Sequence, residues 1–190
     1  MPGQAGESLR LFYALWPDDN VRASLMGLQT LLQGRIVPQQ NLHITLAFLG
    51  QQPAGALPAL KDILRRLPKT RLGLTVDRMA YFNGNRIAWA GMHQTPEALF
   101  GLQRELARLL KEQGIACDDK GKFKPHVTLA RDAAPPPDTF FTPFTWEANR
   151  VALVQSLTKA GGPVYTVLAE RAIDQDVTVQ DAAGAAARES

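Results

Sequence analysis

Cysteine is nearly absent from this chain: Cys117 stands alone among 190 residues. A single thiol cannot close a disulfide within the chain, and a zinc site built mostly of cysteine is excluded. No uninterrupted apolar stretch approaches the roughly 18–20 residues that a membrane-spanning helix needs. The N-terminal MPGQAGESLRL lacks a basic segment followed by an apolar core, so no secretory signal is expected there. Signature motifs are missing as well. There is no glycine-rich dinucleotide or phosphate loop, no G-x-S-x-G elbow and no helical His pair at i,i+4. Charge is modest, with 21 basic and 18 acidic residues leaving a net +3. With 45% apolar residues, the composition is that of a folded chain and not a disordered one. The expectation is a soluble cytoplasmic protein of about one domain.

The small net charge hides an asymmetry. Residues 174–190 carry Asp174, Asp176, Asp181 and Glu189 against Arg188, so the tail is −3 and the body +6. The tail is Ala-rich, lacks an apolar face beyond Val177 and Val179, and is expected to be mobile. A basic body is compatible with an anionic ligand.

The body repeats one order of elements. Residues 10–16 read as a strand, and Asn20 is placed to cap a helix with Val21, Leu25, Leu28 and Leu32 on one face, closing at Gly34. A strand follows at 42–49, then a helix at about 56–67. Strands are expected again at 71–79 and 86–92, separated by Asn83-Gly84-Asn85. Thr95 is placed to cap a helix carrying Leu99, Leu102, Leu106 and Leu109, which ends at Gly114. Strands at 126–131, 150–157 and 164–171 complete the body, the last two joined through Gly161-Gly162-Pro163. Such a pattern predicts an α+β fold: two pseudo-symmetric lobes with largely antiparallel sheets flanking a central groove, helices on the outside. Residues 1–173 form one bilobal unit in this reading, with half-repeats at 10–50 and 86–131.

The repeat matters because each copy brings a strand that opens His-x-Thr-Leu: His43 and Thr45, then His126 and Thr128. In a strand, residues i and i+2 point the same way, so each motif presents an imidazole and a hydroxyl together. Facing each other, two imidazoles can flank one substrate, one as base and one as acid, because histidine exchanges protons near neutral pH. The hydroxyls can donate to phosphate oxygens as their charge grows. In-line displacement at phosphorus needs no metal in such a set, and no third ligand accompanies the histidines. His93 has no matching motif and reads as a surface histidine; Cys117 reads as a small packed residue.

HITLAFLG and PHVTLAR, together with RLFYALWP, RIAWAG and the YTVL segment, resemble the two-histidine (2H) phosphoesterase superfamily. Within it, they are similar to the bacterial and archaeal RNA 2′,3′-cyclic phosphodiesterases, also called 2′-5′ RNA ligases. The resemblance runs from about Arg10 to Thr166. It implies hydrolysis of an RNA terminal 2′,3′-cyclic phosphate to a 2′-phosphate without metal or cofactor. His43 would give a proton to the leaving 3′ oxygen, His126 would activate water, and Thr45 and Thr128 would hold phosphate oxygens. With an RNA 5′-hydroxyl as the nucleophile, the same pair would form a 2′-5′ linkage without ATP. The implied partner is an RNA end, tRNA fragments included, acted on by a monomer away from membranes.

Phe48 and Arg131 each lie five residues after their histidine. Phe48 is a candidate for base stacking and Arg131 for phosphate pairing. In a regular strand an odd offset puts both on the face opposite the histidines, so only a bulge or a strand end re-aims them. Lys122 and Lys124 either add field for an RNA backbone or solvate a loop. Two other readings stay open: a 2H phosphodiesterase acting on a small nucleotide, such as a 2′-5′ oligonucleotide or a cyclic ADP-ribose phosphate, and an RNA-binding module without turnover.

Overall fold

Leu9, Leu11, Tyr13 and Leu15 alternate with Arg10, Phe12, Ala14 and Trp16, and this two-residue period makes strand β1 (Ser8–Leu15) a ribbon with two distinct faces. The computed structural model describes residues 6–69, 71–118 and 121–172; the tail assigned to 174–190 lies outside them. After β1 comes helix α1 (Asp19–Gln29), capped by Asp18, whose carboxylate accepts the Val21 N–H at 2.8 Å. Asn20, the expected cap, falls inside the first turn instead. Nor does Gly34 close that helix. It has φ of +122°, and a Cβ there would lie 2.7 Å from the Ala133 Cα, so glycine is required by close backbone approach.

The chain continues through a two-residue strand β2 (Arg35–Ile36), β3 (Ile44–Pro53), α2 (Leu57–Arg66), β4 (Gly73–Val76), β5 (Arg78–Phe82), β6 (Ile87–Gly91), α3 (Glu97–Glu112), β7 (Val127–Arg131), β8 (Phe144–Glu147), β9 (Arg150–Lys159) and β10 (Gly162–Ala172). The strand expected at 71–79 is two strands: β4 pairs with β8 in a small separate sheet, and β5 pairs with β6. Between them Asp77 turns the chain, its carboxylate accepting the His93 N–H at 2.8 Å. Thr95 does not cap α3, which starts at Glu97 behind Pro96.

The main sheet is antiparallel in the order β10-β9-β1-β3-β7-β6-β5, with β2 added along β7. The halves do not make two separate sheets. They fuse through one residue pair, Ile44 opposite Val127. Around this pair the order is nearly symmetric, β1-β3 on one side and β6-β7 on the other. Helix α1 leaves β1 and packs on β7, whereas α3 leaves β6 and packs on β3, so each half covers the other's central strand. The main core lies on this helical face and contains Leu11, Tyr13, Leu25, Ile44, Leu99, Leu106, Val127 and Leu129. Tyr13 ties β1 to α2 by donating to the Leu60 carbonyl at 2.7 Å. Among the described residues the opposite face of the sheet carries no α-helix and forms a groove. Among the described residues no helix is long and apolar enough to cross a membrane.

Candidate active site

Because Ile44 and Val127 oppose each other with their side chains in the core, their neighbours must point to the groove face. Antiparallel register then sets His43 across from Thr128, and Thr45 across from His126. All four line a groove of about 570 Å³. Two motifs 83 residues apart in sequence become one square.

Each imidazole is fixed in the same way. His43 Nδ1 donates to the Asn41 carbonyl at 2.7 Å, and His126 Nδ1 donates to the Lys124 carbonyl at 2.7 Å. A carbonyl only accepts, so Nδ1 carries the proton in both rings and Nε2 is left as the exchangeable atom. His43 Nε2 lies 3.0 Å from the Thr45 hydroxyl, which donates to it when the ring is neutral.

The two rings differ in their surroundings. His43 packs against three aromatic side chains: Phe12 at 4.9 Å, Trp16 stacked at 5.7 Å and Tyr165 edge-on at 5.4 Å. His126 has two, Phe82 at 5.1 Å and Trp89 at 5.9 Å. Burial pushes His43 down to about 4, against the pull of its backbone hydrogen bond, and the nearby His126 and Arg131 lower it further. His126 is also lowered, first by burial and then by Arg131. Both rings are therefore neutral near pH 7 in this environment. A phosphate anion brought against Nε2 favours the imidazolium and raises these values again.

Two bulges settle where Phe48 and Arg131 point. Along β1, Ala14 opposes Thr45 and Phe12 opposes Phe48, so Leu46 is an extra residue in β3. Since Phe12 and Ala14 share a face, Phe48 joins Thr45 on the groove side. Along β6, Trp89 opposes Thr128 and Ala88 opposes Ala130, making Leu129 the extra residue in β7 and returning Arg131 to the groove face. The Leu129 carbonyl, displaced from the β6 ladder, accepts the Val37 N–H at 2.9 Å and the side-chain amide of Gln29 at 2.9 Å. Phe48 and Arg131 both line the groove. As β3 and β7 run in opposite directions, these two residues sit at its opposite ends.

Other groove residues were not singled out by the motifs: Arg10, Phe12, Arg35, Asn41 and Tyr165. Buried Asn41 gives its carbonyl to His43 and its side-chain amide to the Pro163 carbonyl at 2.9 Å, tying the His43 ring to the tip of the β9–β10 hairpin. A β-strand period through RLFYALW would have found Arg10, Phe12 and Trp16 together. Lys122 and Lys124 are exposed, and Lys124 contributes its carbonyl to His126. His93 is a surface residue, 64% exposed and 3.1 Å from Asp77 Oδ1. Cys117 is half-buried against the main core. Among the described residues, no three His, Cys, Asp or Glu side chains gather as a metal-ligand set.

Residues 17–160 match the model of the 2′-5′ RNA ligase superfamily. The chain is 38% identical to an RNA 2′,3′-cyclic phosphodiesterase of Thermus thermophilus, over 84% of this chain and 88% of that protein. It is 32% identical to one of the same name from Escherichia coli, over 89% and 99% of the two chains. The crystal structure of E. coli LigT in apo form superposes with a TM-score of 0.75 at 29% identity, covering 88% of this chain and 98% of that one.

Proposed function

The chain belongs to the 2′-5′ RNA ligase superfamily, and from that membership we propose that it hydrolyses an RNA terminal 2′,3′-cyclic phosphate to a 2′-phosphate in this groove. The observation that carries the reading is the square of His43, Thr45, His126 and Thr128 around the Ile44–Val127 pair.

The cyclic phosphate sits over the square with its nonbridging oxygens toward Thr45, Thr128 and Arg131. His126 Nε2 takes a proton from water, and the resulting hydroxide forms the new P–O bond. The P–O3′ bond breaks in line with it, and the His43 imidazolium gives its Nε2 proton to the departing 3′ oxygen. One proton enters the pair and one leaves, so the pair keeps its total protonation and only exchanges which ring is charged. Substrate charge does part of the preparation, since the phosphate anion raises the pKa of His43 above its buried value. Positioned acid–base groups of this kind supply about 10²–10⁴-fold each. Phe48 offers a face for the terminal base. With an RNA 5′-hydroxyl in place of water, the same proton transfers in the same direction form a 2′-5′ linkage, the P–O3′ bond breaking as before.

The test is product analysis by phosphorus NMR on a short RNA ending in a 2′,3′-cyclic phosphate, in excess EDTA. A 2′-phosphate is expected. A 3′-phosphate would reverse the leaving-group geometry, and activity abolished by EDTA and restored by one divalent ion would sink the metal-free mechanism. His43→Ala and His126→Ala should each reduce turnover far more than RNA binding; equal loss of both in folded protein would favour a binding module.

A further inference from the structure

Arg10 occupies an unusual place among the arginines. Arg35, Arg66, Arg104, Arg108 and Arg150 are each paired with a carboxylate. Among the described residues, Arg10 and Arg131 have no carboxylate or carbonyl partner, and both line the groove. They lie at opposite ends of it. Arg131 serves the reacting phosphate, but a cyclic phosphate end has only one phosphorus over the square. A second cation without a carboxylate, at the far end, suits a second anion.

The geometry points to the phosphodiester on the 5′ side of the terminal nucleoside: we propose that Arg10 is the specificity-determining contact for that phosphate, which makes an oligonucleotide end a better substrate than a mononucleoside cyclic phosphate. This inference rests on the cyclic phosphodiesterase reading. The Arg10 guanidinium lies over the Phe48 ring, 5.1 Å from its centre. A base and a 5′ substituent both leave the ribose away from its 2′,3′ edge. A base brought to Phe48 therefore brings the 5′-side phosphate to Arg10. Strand pairing strengthens the placement. Leu11 opposes Gln155, so the same register sets Arg10 beside Ser156, which also lines the groove. Arginine suits both demands, since its planar fork stacks on a ring and pairs with phosphate oxygens.

The experiment compares kcat/KM on a mononucleoside 2′,3′-cyclic phosphate and on a trinucleotide ending in the same cyclic phosphate. Arg10→Ala is expected to lower the trinucleotide value at least tenfold more than the mononucleoside value. Arg10→Lys should keep part of the preference, and Arg65→Ala on the exposed face of α2 should keep all of it. Replacing the 5′-side linkage with a neutral methylphosphonate should make wild type resemble Arg10→Ala. Equal losses on both substrates, or a preference indifferent to the linkage charge, would overturn the assignment. If wild type turns over neither substrate, the reading of the reaction fails. Equilibrium binding of the same two ligands then decides Arg10 separately: an unchanged trinucleotide preference in Arg10→Ala overturns it.

Discussion

Replacing Trp16 with alanine tests whether burial is what keeps the His43 imidazole neutral. The ring value falls from 6.5 to about 4, and desolvation is its largest cause. That drop corresponds to about 3 kcal/mol. Three aromatic side chains enclose the imidazole, and Trp16 is the one stacked on its face, itself only 8% exposed. If each ring excludes a similar share of water, opening this side returns about a third of the drop. A competing effect has the opposite sign. An aromatic face attracts a cation, so loss of Trp16 would lower the His43 value if cation–π attraction dominated. The assay is a histidine Cε1 NMR titration of folded protein, with His126 and His93 as internal references. Trp16→Ala should raise His43 while Trp16→Leu, which keeps apolar bulk, should leave it near the wild-type value. A further fall in both variants, or a wild-type His43 that titrates near 6.5, would refute the burial argument.

The same shift has a sign for stability. His43 binds a proton at higher pH when unfolded than when folded, so its contribution is present above about 6.5 and is lost as pH falls toward 4. Urea unfolding at pH 7 and pH 4 should show wild type losing about 2–3 kcal/mol more than His43→Asn. Gly91→Ala should slow turnover through His126, because the new Cβ would lie 2.8 Å from Cζ3 of Trp89, which packs on that ring. Overpacking of this kind costs about 1–3 kcal/mol, read as a lower Tm beside a lower kcat. Gln29→Leu should cost about 1–3 kcal/mol in urea unfolding, since it removes the amide donor from the Val37 carbonyl and one of the two donors to the Leu129 carbonyl. It should also raise KM, because the Leu129 bulge is what turns Arg131 into the groove.

What the sequence made legible was periodic or repeated. The paired His-x-Thr segments were visible because a strand's two-residue period and a second copy reinforce each other, and the structure brings both pairs to one groove. The leucine face of α3 was readable for the same reason. Less legible was anything decided by an extra residue. Nothing in LAFLG or TLAR announces that Leu46 and Leu129 are bulged, because a bulge is fixed by the partner strand's register. Phe48 and Arg131 hung on that detail. The fusion of the halves through Ile44 and Val127 was hidden too, as it depends on a contact across 83 residues. Asp18 takes the cap in place of Asn20: it stands extended just ahead of the helix, with φ of −75° and ψ of 176°, and its carboxylate reaches the Val21 N–H.

A near-twofold scaffold still has to give its two histidines different work, and their surroundings suggest how. Three rings enclose His43 and two flank His126, so a proton on His43 is the harder to keep. In the proposed reaction an anionic phosphate charges that ring, which makes it a strong acid for a poor leaving group, whereas the more open His126 suits deprotonation of water. The division can be separated chemically by making the leaving group good. In a substrate whose bridging 3′ oxygen is replaced by sulfur, the departing thiolate needs no proton. His43→Ala should then recover about 10²-fold or more of its lost kcat, within the usual span of one acid–base group, while His126→Ala stays slow. The measurement is the ratio of sulfur to oxygen turnover in each variant. Rescue of His126→Ala instead would exchange the two roles, and equal rescue of both would mean that neither ring is committed to the leaving oxygen.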